Sequence, residues 1–262
     1  GRAMRNIDLL IEAISDVKPH IKRALLLTLT SAAGQMSNMV FAIKNRKKSR
    51  KRNGGTSKTE VGSWGVGFWL PETHFEINVW NCFKNRAEKL LKALPERKDS
   101  GFSISDDPSS VFSSDYHAWL INADSRAVLK NLPPETVSFI CTDPPHSDRV
   151  PYLELSELWN SLLGYAADFE REIVVSNAKE RRKSKPVYNA DMTEFFIEAD
   201  RVLKADCYIA LYFNARDEES WHHLKCIENT SESLKFVGCF PMIYSAASVV
   251  QNNRKGSMKS DY

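Results

Sequence analysis

The chain has 262 residues, 42% of them apolar, which suits one large or two small globular domains and excludes a chain disordered throughout. No apolar run reaches the length of a membrane span, and the first residues lack a signal-peptide layout, so a cytoplasmic location is expected. A net charge of +3 selects no partner by itself, and the five scattered cysteines (Cys82, Cys141, Cys207, Cys226 and Cys239) form no C-x-x-C pair, which argues against a disulfide framework or a zinc site.

Ile7, Leu10, Ile11, Ile14 and Val17 recur at helical spacing and predict an amphipathic helix over 5–17, closed by Pro19. Gly1-Arg2-Ala3, ahead of Met4, carries no structural weight in this reading. A second helix is expected over about 21–43, apolar on most faces through Leu25, Leu26, Leu27, Ala32, Ala33, Met36, Met39 and Val40. Lys44, Arg46, Lys47, Lys48, Arg50, Lys51 and Arg52 then crowd into nine residues. Such a run is a solvated loop or, in a nucleic-acid enzyme, a set of phosphate contacts. A Gly/Trp-rich stretch follows, in which Trp64 and Trp69, like Trp80 beyond it, read as packing residues. Thr73 and Glu76 have capping-box spacing ahead of a helix carrying Phe75, Val79, Phe83, Leu90 and Leu94. Residues 95–115 are polar and read as a linker.

Beyond the linker the pattern alternates. A short strand is expected over 118–121, a helix over 125–132, a buried strand over 137–142 and a helix over 152–163. A second basic loop spans 179–185 and includes Arg181, Arg182 and Lys183. Asp191 and Glu194 offer a second capping box for a helix. Residues 207–213 are continuously apolar, as in a strand covered on both faces, and a helix over 218–230 and strand material over 236–250 follow. Strands alternating with helices imply a parallel, doubly wound α/β sheet over 101–262, preceded by a mostly helical region over 1–100 with a basic loop.

The strand over 137–142 runs into Asp143-Pro144-Pro145-His146, at the end where ligands bind in such sheets. Consecutive prolines fix a stiff turn and leave carbonyls without neighbouring N–H donors. A carboxylate and a carbonyl held together can accept both hydrogens of an –NH2 group and direct its lone pair toward an electrophile, here a sulfonium methyl.

Asn122-Ala123-Asp124-Ser125, Val128-Leu129, Leu132-Pro133 and the strand ending in Asp143-Pro144-Pro145 resemble the core of the amino-group DNA methyltransferases, whose motif is D/N/S-P-P-Y/F. The continuation from Val150-Pro151-Tyr152 to Leu158-Trp159 resembles a subgroup of prokaryotic adenine-N6 and cytosine-N4 methylases. The resemblance implies a Rossmann-like S-adenosylmethionine-dependent core and methyl transfer to an exocyclic amino group of a flipped DNA base, as in restriction–modification. It implies that Asp143 and the Pro144 carbonyl bind the amino group, within a turn completed by Pro145. His146 stands where the family carries the Tyr or Phe that stacks on the base. Asp124 would contact the cofactor's adenine, with Ser125 and Thr142 beside it, and Tyr152, Glu154 and Ser156 would line the substrate side. Asp124 is equally placed to cap the helix that follows it.

Two departures stand out: His146 itself, and the absence of the family's glycine-rich cofactor loop, for which Gly62–Gly67 is a poor substitute. The chain thus resembles a piece of the catalytic domain, with a second chain or a missing segment supplying that loop. Asp rather than Ser at 143 favours adenine. The alternatives are a non-catalytic DNA-binding or assembly subunit of a split methylase, and an RNA or protein-glutamine methyltransferase, which more often carries Asn at the position of Asp143.

Overall fold

The computed structural model describes residues 1–43, 60–64, 70–96, 101–215, 217–225, 227–231 and 233–240. In chain order the elements are α1 (Arg2–Ser15), α2 (Pro19–Met36), β1 (Val40–Ile43), β2 (Glu60–Trp64), α3 (Val79–Ala93), β3 (Ile104–Ser105) and α4 (Pro108–Phe112). They continue with β4 (Ala118–Trp119), α5 (Ser125–Asn131), β5 (Val137–Thr142), α6 (Tyr152–Leu163), α7 (Lys185–Val202), β6 (Leu203–Leu211) and α8 (Glu218–Lys225). The protein is mixed α/β. Among the described residues no helix is long and apolar enough to cross a membrane.

Contacts divide the chain into two compact units. The first contains the described residues of 1–105, 109–118 and 152–167; the second contains 106–108, 119–151 and those from 168 onward. This differs from a division at residue 100, because α6 sits with the N-terminal helices. Trp159 of α6 donates its indole N–H to the Thr30 carbonyl of α2 at 2.9 Å, and Leu162 packs on the same core.

That core joins Ile7 and Ile14 of α1, Leu29, Ala32 and Met36 of α2, and Val79, Cys82 and Phe83 of α3. Burying each larger side chain contributes about 1.5–3 kcal/mol. α1 begins at Arg2, and Ala3 packs against the core, so the leading residues do carry structure. α2 has Pro19 in its first turn, where a missing N–H costs nothing, and stops at Met36 rather than running on to 43. The next residues, Val40 to Ile43, form β1, which pairs antiparallel with β2. Two further hydrogen bonds, Ala42 N–H to the Thr73 carbonyl and Phe75 N–H to the Val40 carbonyl, both at 2.9 Å, extend this pairing. Thr73 and Glu76 therefore form no capping box. The cap of α3 is Asn78, which accepts from the Asn81 N–H at 3.0 Å. Gly62 serves packing: a Cβ there would come within 2.5 Å of the Phe41 ring.

In the second unit β5 and β6 run parallel, pairing Ile140 with Ile209 and Thr142 with Leu211. Ile140, Ile209 and Leu211 face a core built by Tyr188, Met192, Phe195, Phe196 and Ala199 of α7, with Leu129 of α5 and Ile227. The opposite face carries the Phe139–Tyr208 pair, 57% and 60% exposed, so the sheet is covered on one face rather than both. Among the described residues the parallel sheet has two strands and is not doubly wound: β4 belongs to a separate short pair, and 236–240 form no strand. The linker over 95–115 contains β3 and α4.

α7 begins at Lys185, with Pro in its first turn. Asp191 and Glu194 lie inside it and cap nothing; they turn instead to the cations Arg126 and Lys130 of α5. Arg201 closes the same helix pair from the other end, donating to the Leu132 carbonyl at 2.9 Å and the Leu129 carbonyl at 2.7 Å, the last acceptors of α5.

Candidate functional site

The carboxyl ends of β5 and β6 lie side by side, joined where the Tyr212 N–H donates to the Thr142 carbonyl at 2.9 Å. Asp143-Pro144-Pro145-His146 leaves one strand and Phe213-Asn214-Ala215 leaves the other. The Asp143 carboxylate is 70% exposed. Pro144 is buried, and its carbonyl takes no hydrogen bond among the described residues. The Pro145 carbonyl is occupied, accepting the Tyr188 hydroxyl at 2.7 Å and the Ser147 N–H at 3.0 Å. Burial pushes the Tyr188 hydroxyl up to about 12, so it stays protonated at neutral pH.

His146 turns inward. Its ring is edge-on to Phe213 at 5.5 Å, and Phe213 is edge-on to Trp221 at 5.0 Å. The Asn214 N–H donates to His146 Nδ1 at 3.3 Å, and His146 Nε2 lies 3.4 Å from Asp143 Oδ1. Arg149 in turn donates to the Asn214 carbonyl at 2.9 Å. Ser147, held at φ +60°, and Asn214 are buried, and neither the Ser147 hydroxyl nor the Asn214 side-chain nitrogen has a partner among the described residues.

Of the residues expected to hold the cofactor, Asp124 is otherwise engaged. Asp124 caps α5, accepting the Arg126 N–H at 2.9 Å, and its two oxygens also take Arg126 Nε at 3.1 Å and Nη2 at 2.9 Å. Burial raises the Asp124 pKa, but the hydrogen bonds and charge of Arg126 outweigh it and hold the carboxyl below its ordinary value. Ser125 is the exposed first residue of α5, and the Thr142 carbonyl is taken by Tyr212. Asp124 thus has both oxygens committed to Arg126 and offers no free carboxylate to S-adenosylmethionine as it stands.

The second basic loop is partly tied into the fold, with Lys179 and Arg182 exposed. Arg181 pairs with Glu172 and lies over the Phe169 ring at 4.3 Å. Lys183 is buried, bonded to the Glu170 carbonyl and 3.7 Å from Asp191. Arg182 alone of the three points out, on a backbone at φ +51°. The run from Lys44 through Arg46, Lys47, Lys48, Arg50 and Lys51 to Arg52 lies outside the described residues. Tyr152, Glu154 and Ser156 belong to α6 in the first unit, where Ser156 bonds the Leu153 carbonyl at 2.8 Å and accepts from Asn160 at 3.1 Å. Among the described residues no group of three His, Cys, Asp or Glu is placed to hold a metal.

Tyr188, Asn214 and Arg149 are the residues that the motif alone did not reveal. Asn214 carried a signal nonetheless, standing one residue past the strand expected over 207–213 in the same sheet. No family model, curated protein or solved structure matches the chain.

Proposed function

We propose that this chain carries the acceptor half of an amino-group DNA methyltransferase, holding adenine N6, with cytosine N4 second, for methyl transfer. The observation that carries the reading is the pair of acceptors after β5: an exposed Asp143 carboxylate, and beside it the Pro144 carbonyl, which takes no donor among the described residues. A carbonyl without a protein donor is an open acceptor, which one amino hydrogen would take while the other meets the carboxylate. Drawing on both hydrogens turns the nitrogen lone pair outward. The base must leave the duplex to present that group. In this reading β5 and β6 belong to a Rossmann-like methyltransferase core, and S-adenosylmethionine is cradled by a second chain or by a segment beyond the described residues.

A second reading, a non-catalytic DNA-binding subunit, is favoured by the commitment of Asp124 to Arg126. The test is labelled methyl transfer to DNA, RNA and protein in parallel, in extracts of cells expressing the wild-type chain or Asp143→Ala. Label in DNA amino groups with the wild type only supports catalysis. DNA binding without label supports the second reading, and label confined to RNA or protein overturns both.

A further inference from the structure

His146 occupies the position where the resembled methyltransferases carry an aromatic residue stacked on the target base. Its surroundings suit a different task. Only 13% of the side chain reaches solvent, too little for a base to lie flat on the ring. The remainder is packed edge-on against Phe213, itself backed by Trp221.

The hydrogen bonds set the tautomer. The Asn214 backbone N–H can only donate, so Nδ1, at 3.3 Å, must be the acceptor and the ring proton sits on Nε2. That N–H faces Asp143 Oδ1 at 3.4 Å, the long distance common in catalytic contacts before substrate arrives. Asn214 is itself fixed, because Arg149 holds its carbonyl at 2.9 Å. Arg149, Asn214 and His146 form one chain of donors and acceptors, which ends with His146 Nε2 3.4 Å from Asp143 Oδ1 across the ends of two adjacent parallel strands.

We infer that His146 is a positioning residue, whose neutral imidazole holds one carboxylate oxygen of Asp143 and leaves the other for the amino group. This rests on the reading of Asp143 as the amino-group acceptor. The histidine exchanges base stacking for orientation of the carboxylate, which accounts for a non-aromatic-hydrocarbon ring at this place in the motif. A long, flexible donor would do part of the same work; a phenyl ring would do none of it.

Two measurements on the full chain test this. The first uses nitrogen NMR of the His146 ring without any ligand. A protonated Nε2, a bare Nδ1 and a shift of the Nε2 signal in Asp143→Asn are expected; a proton on Nδ1, or no response to Asp143→Asn, overturns the inference. This readout needs no methyl transfer, so the tautomer can hold even where the methyltransferase reading fails. The second compares His146→Gln and His146→Phe for binding a fluorescent single-stranded oligonucleotide with one adenine, against the same strand carrying purine, which lacks the amino group. Losing a hydrogen bond to a charged group costs about 10- to 100-fold. His146→Phe should lose the preference for adenine by that factor, and His146→Gln should keep most of it. The opposite order, with Phe equal to or better than wild type and Gln weakened, is the signature of stacking and overturns the inference. No adenine preference in the wild type is instead a failure of the amino-group reading.

Discussion

Tyr188 donates its hydroxyl to the Pro145 carbonyl at 2.7 Å, tying the first turn of α7 to the loop that carries Asp143. Removing the hydroxyl with Tyr188→Phe should destabilise the second unit by about 1 kcal/mol. Because burial raises this pKa from 10.0 to about 12, folding favours the protonated phenol. Its contribution is complete below pH 10 and disappears as the pH rises toward 12, a change of about 2–3 kcal/mol. Urea unfolding of both proteins across that window should show a loss of stability in the wild type that Tyr188→Phe, with no phenol to ionise, does not share.

Arg126 is the hub of the α5–α7 contact, meeting Asp124, Asp191 and Glu194 with 11% of its side chain exposed. Arg126→Ala leaves the largely buried Asp124 carboxylate without its cation, while Asp191 and Glu194 keep Lys183 and Lys130, and should cost about 3 kcal/mol at pH 7. Asp124 has a lowered pKa, so its share is complete above the ordinary carboxylate range and is lost as the pH falls through the lowered value. The gap between wild type and mutant, read from denaturation midpoints, should therefore shrink on acidification.

The two basic runs should separate in a salt titration of DNA binding. Replacing Lys47, Lys48, Arg50 and Lys51 with Ala is expected to flatten the log–log slope by about 0.9 per lost phosphate contact. Arg181→Ala should leave the slope alone and lower the unfolding temperature, since its guanidinium is engaged with Glu172 and Phe169.

With Asp124 bound to its own helix, the described residues offer few convergent contacts to offset the cost of immobilising S-adenosylmethionine. Calorimetric titration into the purified chain should show no micromolar binding. Micromolar affinity would place a cofactor site among elements not recognised as one.

Apolar periodicity located α1, α5, β5 and α6 closely, because each is a short amphipathic or apolar run bounded by Pro, Asp or Ser. It overran α2, since Val40 to Ile43 are as apolar as the helix before them and only their partner strand decides their conformation. Both capping boxes misled for one reason: a T-x-x-E or D-x-x-E spacing carries no information about long-range partners. Phe75 was claimed by Val40, and Asp191 by Arg126. The place of Asp143 at a strand end was legible because an apolar run stops there at a carboxylate followed by two prolines. The inward turn of His146 depends on Phe213 and Asn214, some seventy residues away, and could not be read locally.

The most direct test of the central claim is amide NMR of the two loops that carry Asp143 and Asn214 during titration with a single-stranded adenine oligonucleotide and its purine counterpart. If Asp143 and the Pro144 carbonyl hold an amino group, the signals of Asp143, His146 and Asn214 shift with adenine, shift little with purine, and fail to respond in Asp143→Ala. Equal shifts with both strands, or an undiminished response in Asp143→Ala, would contradict the account.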